Sequence, residues 1–307
     1  MNRKLLVVGT IAYDTISTPF GKVEKILGGA ATYIGLCASR FSLDCGIVSV
    51  VGDDFENEHL ELLKKHDIDL SGVEIVPGGS TFFWSGEYHN DLNTRTTLET
   101  QLNVLENFSP NIPEHFKSPD IVMLGNLSPD VQLQALEQLK TKPKLIVLDT
   151  MNFWMEHFRS GLDQVIAKVD VISINNDEAR QLTGENSLVS AANKIHQMGP
   201  EFVIIKKGEH GALLFHNKEI FCAPALPLEE VFDPTGAGDS FAGGFTGYLT
   251  QTGDISFKNM KLAVIYGSAM ASFTVEKFGT KNLVNYTPST MATRLKAFKE
   301  LITFEIE

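Results

Sequence analysis

Short apolar runs govern what this chain can fold into: "LLVVGTI" (5–11), "GIVSVVG" (46–52), "DIVMLGN" (120–126), "KLIVLDT" (144–150), "DVISIN" (170–175) and "FVIIKKG" (202–208). Each has the length of a strand, is rich in Val and Ile, and is bounded by glycine or polar residues. A strand turns successive side chains to opposite faces, so a run that is apolar at nearly every position must be covered on both sides. Helix-like segments lie between the runs, at 53–66, 128–140 and 187–199. The first opens on acidic residues and closes on Lys64, Lys65 and His66, the order that a helix dipole favours. Alternating strands and helices predict an α/β fold with a three-layer αβα core and a mostly parallel central sheet. In such folds ligands collect at the carboxyl ends of the strands.

One region breaks the rhythm. "STFFWSGEYHNDLNTRTTLETQLNV" (80–104) alternates with period two around a "HNDLN" turn and predicts a β-hairpin. Phe82, Trp84 and Tyr88 fall on one of its faces; Thr81, Phe83, Ser85 and Glu87 fall on the other. A hairpin alone is marginally stable, so this one must lean on something, as a lid over a site, a dimer contact or both. No repeat or Pro/Gly linker divides the 307 residues. They read as a single domain, 1–307, with a small lid from about 11–20 and 80–104.

Charge and residue usage exclude several function classes. A net charge of −12 without a basic stripe argues against a nucleic-acid surface. Three scattered cysteines form no CxxC pair and eight histidines no HxxxH or HxH pattern, so neither a disulfide framework nor a His-based metal centre is expected. The apolar run near the N-terminus is short and interrupted by Gly9 and Asp14, which reads as a first strand, and no segment has the length of a membrane span. A cytoplasmic location, with no nucleic-acid or membrane partner, is expected.

The stretch "VFDPTGAGDSFAGGF" (231–245) carries the chemistry. Pro234 fixes the approach, while Gly236 and Gly238 permit backbone angles that a side chain forbids. Residues Thr235 to Ser240 would then turn N–H groups toward one point at a helix N-terminus, an anion hole suited to phosphate. Asp239 follows where its carboxylate can face what those amides hold. A carboxylate beside a helix N-terminus is expected to have a low pKa. Phosphoryl transfer tolerates such a base, because its transition state is loose and positioning outweighs basicity.

This stretch resembles the second signature of the PfkB/ribokinase family of carbohydrate and nucleoside kinases. Four further segments resemble family elements in family order: "GTIAYDTI" (9–16), "GGAATYIGLCASRF" (28–41), "NNDEARQLTGE" (175–185) and "IIKKGEHGALLF" (204–215). The resemblance implies a ribokinase-like fold and an ATP-dependent, Mg²⁺-requiring kinase. Asp239 would be the general base, and the amides of Gly236, Ala237 and Gly238 the anion hole. Asp14, Gly28 and Gly29 would hold the acceptor, with Phe83, Asn126 and Asn152 as further candidates for its pocket. Asn175, Lys206, Gly208, Gly211 and Thr235 would serve the nucleotide, and Glu178 would hold Mg²⁺ through water. A monovalent cation such as K⁺ and a homodimer through the lid hairpin are left open.

The chain departs from the family pattern at two places. Tyr33 stands where the family often has Asn, which adds an aromatic ring to the acceptor pocket. "MNFWM" (151–155) lacks the arginine that many sugar kinases carry there, although Arg95 on the lid remains available. The reading is a sugar-type alcohol kinase, with a nucleoside kinase as alternative and a non-catalytic sensor as the rival of another class.

Overall fold

The computed structural model describes residues 2–303 and 305. Its strands are β1 (Lys4–Val8), β2 (Ala12–Thr18), β3 (Gly21–Gly28), β4 (Asp44–Gly52), β5 (Ile68–Val76), β6 (Phe83–Tyr88), β7 (Arg95–Gln101), β8 (Ile121–Leu124), β9 (Leu145–Leu148), β10 (Val171–Asn175), β11 (Phe202–Lys206), β12 (Ala212–His216) and β13 (Glu219–Ala223). Nine of them form one sheet in the order β13-β12-β11-β10-β9-β8-β1-β4-β5. All its pairings are parallel except β11 with β12 and β12 with β13 at one edge.

Every apolar run becomes one of the parallel strands, and β1 shows why the runs are continuous. Leu5 and Val7 enter the core under the helices Ala30–Ala38, Ala237–Thr252 and Phe257–Thr274. Leu6 and Val8 enter a second core on the other face, with Val131, Leu162 and Ile195 from the helices Pro129–Glu137, Arg159–Ile166 and Leu188–Met198. Each such side chain contributes about 1.5–3 kcal/mol through burial, so neither face tolerates polar alternation.

Two predicted helices start at their caps: the Ser128 hydroxyl accepts from Val131 N, and that of Ser187 from Ser190 N. The helix expected over 53–66 is shorter, Asn57–Lys65. Its acidic beginning has another use, because Asp53 accepts from Gly78 N (2.7 Å) and Asp54 from Thr81 N (2.7 Å). These carboxylates tie two loops and open no helix.

The hairpin belongs to a smaller sheet in the order β3-β2-β6-β7. β6 and β7 pair antiparallel, closed by an Asp91 turn in which Oδ1 accepts from Asn93 N and Thr94 N. The hairpin leans on β2, which pairs parallel with β6. The small sheet also contains Gly21–Gly28, beyond the expected 11–20, because "KVEKI" is mostly solvent-facing and carries no apolar run to announce a strand.

Candidate active site

Gly236 caps the helix Ala237–Thr252 with φ +74°. That left-handed conformation costs an L side chain about 1–2 kcal/mol. The Tyr33 ring also lies directly beneath, so that a Cβ at Gly236 would come within 2.5 Å of its Cε1. The first intrahelical bond is Ser240 N to Gly236 O (2.8 Å), which leaves earlier N–H groups free for a ligand. The three predicted amides are not equivalent, however. Ala237 N–H is given to the Pro234 carbonyl (3.2 Å) and Thr235 N–H to Asp233 Oδ1 (2.9 Å). The turn holds its own shape with these two bonds, which leaves the N–H groups of Gly236 and Gly238 without such a partner among the described residues.

Asp239 lies in the first helical turn, yet its pKa is raised to about 7. Burial is the main cause and Asp149 adds to it, against the attraction of Lys206 and Arg95. The expectation of a low value fails on magnitude. A helix N-terminus stabilises a carboxylate by about 0.3–1 kcal/mol, and in favourable cases about 2, whereas this rise corresponds to about 4 kcal/mol. Loss of water outweighs the dipole.

The carboxyl ends of β9, β10 and β11 supply the groups that surround Asp239. Lys206 ends β11, and its Nζ lies 3.3 Å from Asp149 Oδ1. A Cβ at Gly238 would be 3.1 Å from that Nζ, so the ammonium reaches the helix start. Burial works against its charge, but Asp149, Glu178 and Asp239 together raise its pKa. Lys207 lies in the turn that follows, where its N–H donates to the Gly211 carbonyl (2.7 Å). Asp149 escaped the sequence reading; its one signal was an acid directly after a buried apolar run.

Asn175 ends β10 and caps the helix Asn176–Thr183. Its Oδ1 accepts from Asp177 N and Glu178 N (2.9 and 2.8 Å), and Glu178 Oε2 accepts from Asn175 N (2.7 Å). The N-x-x-E spacing is therefore a capping box, and the box aims Glu178 at the cluster. Burial pushes the Glu178 carboxyl up to about 7, with Lys206 pulling the other way. Gly208 and Gly211 bracket the turn after β11, and a Cβ at Gly208 would lie 2.6 Å from Asn93 Oδ1 at the hairpin tip. Tyr88 of the hairpin meets Thr235, whose Oγ1 is 3.3 Å from the tyrosine hydroxyl. The small sheet thus touches both the turn after β11 and the turn before the helix Ala237–Thr252.

Asp14 faces the same centre from β2 and is 5% exposed. Burial raises its pKa to about 7, with Asp233 and Asp239 adding to the rise. Only hydrogen fits at Gly28, where a Cβ would overlap the Asp14 carboxylate, and Gly29 packs against the Thr10 carbonyl. Tyr33 is fully buried, and its hydroxyl lacks a hydrogen-bond partner among the described residues.

Of three further predicted acceptor residues, one faces away from Asp14 and two stand just beyond β8 and β9. Phe83 registers with Tyr13 and packs into the core, on the face of the small sheet opposite Asp14. Asn126 is engaged within the protein, accepting from Trp154 Nε1 (2.7 Å) while its Nδ2 meets Met151 Sδ (3.0 Å). Asn152 opens the short helix Asn152–His157 and is exposed. The residue that shares Asp14's face is Trp84, its register partner.

Helix-start amides, a half-buried lysine and a carboxyl with a raised pKa, gathered at strand ends under a small sheet, are groups suited to phosphoryl transfer. The family model described as "pfkB family carbohydrate kinase" matches residues 2–286, and the chain belongs to that family. It is 33% identical over 248 residues to a cytidine kinase of Thermococcus kodakarensis, covering 78% of this chain and 86% of that protein. It is 28% identical over 309 residues to a nucleoside kinase of Methanothermobacter thermautotrophicus, covering 91% and 92%. The solved nucleoside kinase of Methanocaldococcus jannaschii has the same fold, with a TM-score of 0.76 at 20% identity over 96% of this chain and 98% of that one. The protein is a kinase of the sugar and nucleoside class.

Proposed function

We propose that this kinase transfers the γ-phosphoryl group of ATP to a hydroxyl of a nucleoside. Transfer rests on Asp239, a partly proton-holding carboxylate at the mouth of an anion hole. The choice of a nucleoside is supported by the two relatives above, both named for nucleoside acceptors. It is the alternative of the sequence reading, preferred here over a free sugar.

In this reading Asp14 accepts hydrogen bonds from sugar hydroxyls, as a buried acceptor-only group can. The attacking hydroxyl gives its proton to the Asp239 carboxylate as the new P–O bond forms and the bond to the ADP leaving group breaks. The amides of Gly236 and Gly238 and the Lys206 ammonium hold the charge carried by the phosphoryl oxygens. Arg95 extends this field from the hairpin. Its side chain keeps contact with solvent; partial desolvation opposes its charge, but Tyr88, Glu178 and Asp239 raise its pKa. The small sheet, as a lid, would exclude the water that otherwise accepts the phosphoryl group.

Mg²⁺ fits the donor set. Glu178 and Asp149 offer hard oxygens of the kind Mg²⁺ takes, directly or through its waters. Bound there, it would neutralise phosphate charge. Each oxygen of Asp233 accepts from one backbone donor, Thr235 N and Gly279 N (each 2.9 Å), and keeps a second lone pair with which it would serve a monovalent cation such as K⁺.

The test is ADP release from Mg-ATP against a panel of nucleosides, free sugars and inositols, with Asp239→Asn as the blank. Asp239-dependent turnover of a nucleoside is expected. Turnover of free sugars with none of any nucleoside would refute the reading.

A further inference from the structure

The face that carries Asp14 continues into the hairpin. On β6, residues 84, 86 and 88 point the same way. Trp84 registers with Asp14, and Tyr88 reaches Thr235 of the anion hole. Trp84 is therefore the next side chain along from the acceptor carboxylate, about 5 Å away across the sheet. Gly86, between the two, gives the indole its position: a Cβ there would overlap the six-membered ring, so the ring packs directly against the glycine. Its Nε1 faces Thr97 Oγ1 at 3.4 Å. Among the described residues the one cation over the ring is Arg95, whose Cζ stands 5.8 Å from the centroid. That is at the outer edge of cation–π reach, about 6 Å.

Resting on the proposal that the acceptor is a nucleoside, we infer that Trp84 is the shelf on which its base stacks, and that Gly86 is present to let the indole pack against it. Asp14 holds the ribose, and the planar base, one sugar width further on, meets the planar indole. Tryptophan offers a large rigid surface with two side-chain torsions, so little freedom is lost on binding. Because every base has a π face, the shelf favours nucleosides over free sugars without selecting one base.

The experiment compares Trp84→Ala, Trp84→Phe and Gly86→Ala with the wild type in steady-state kinetics. Base–aromatic stacking corresponds to a change of roughly tenfold or more. KM for the nucleoside should rise about that much in Trp84→Ala and Gly86→Ala, be largely restored in Trp84→Phe, and leave KM for ATP unchanged. Ribose, as substrate or competitive inhibitor, should bind all four proteins equally. Nucleoside, but not ribose, should quench the wild-type tryptophan emission, and Trp84→Phe should lose that quench while Trp154, held by Asn126, stays as the internal reference. Unchanged nucleoside KM in the variants, or an equal loss for ribose and nucleoside, overturns the shelf while leaving a nucleoside kinase. A wild type that turns over sugars and no nucleoside overturns the functional reading, and the shelf with it.

Discussion

Replacing Asp239 by Asn should make the ligand-free protein more stable at neutral and alkaline pH while abolishing its activity. The pKa of this carboxyl rises from 3.8 to about 7 on folding. The folded state therefore keeps a proton that the unfolded chain has already lost, and wild-type stability falls as pH rises from about 4 to about 7. About three units correspond to about 4 kcal/mol. Residual solvent contact and the shared field of Asp149 reduce this to about 2 kcal/mol above pH 7. Asparagine has nearly the same shape and no charge to desolvate. The thermal midpoint of Asp239→Asn should exceed that of the wild type by on the order of 5 °C at pH 8 and by much less at pH 5. Its kcat should fall about 10²–10⁴-fold through loss of the base. The assay is a thermal scan of both proteins without nucleotide at the two pH values, alongside turnover. A gap that does not change with pH, or a variant less stable at pH 8, would refute the reasoning. Either result would mean that Lys206, Arg95 and the helix terminus keep Asp239 ionised.

Two more perturbations probe the phosphate side. Gly236→Ala forces a side chain into φ +74° and onto the Tyr33 ring; it should cost about 3 kcal/mol in chemical denaturation and lower kcat on the order of 10²-fold. Glu178→Gln keeps an acceptor for Asn175 N but removes the charge. It should raise the Mg²⁺ concentration for half-maximal rate about tenfold with little loss of fold, and an unchanged Mg²⁺ requirement would take Glu178 out of metal binding.

Much of this protein was legible along the chain wherever the governing physics is local. The doubly buried strands announced themselves because a two-residue period with two covered faces leaves no polar alternate. Ser128 and Ser187 marked helix starts because a cap needs only the next three residues. "GAGD" marked a helix start because a left-handed turn into a helix favours glycine wherever it occurs. Other features depended on partners far off in sequence. That Trp84 and not Phe83 shares a face with Asp14 follows from the register of β6 on β2. That Lys206 points inward follows from Asp149, 57 residues away. The ionisation of Asp239 was misjudged from its position at a helix start. A dipole is a property of one segment, whereas desolvation is imposed by everything that closes around the carboxylate. The sequence by itself therefore determined the layers, the glycine turn that opens the helix Ala237–Thr252 and the family. Tertiary structure decided which side chains meet and how much water each one loses, since both depend on distances that residue order does not contain.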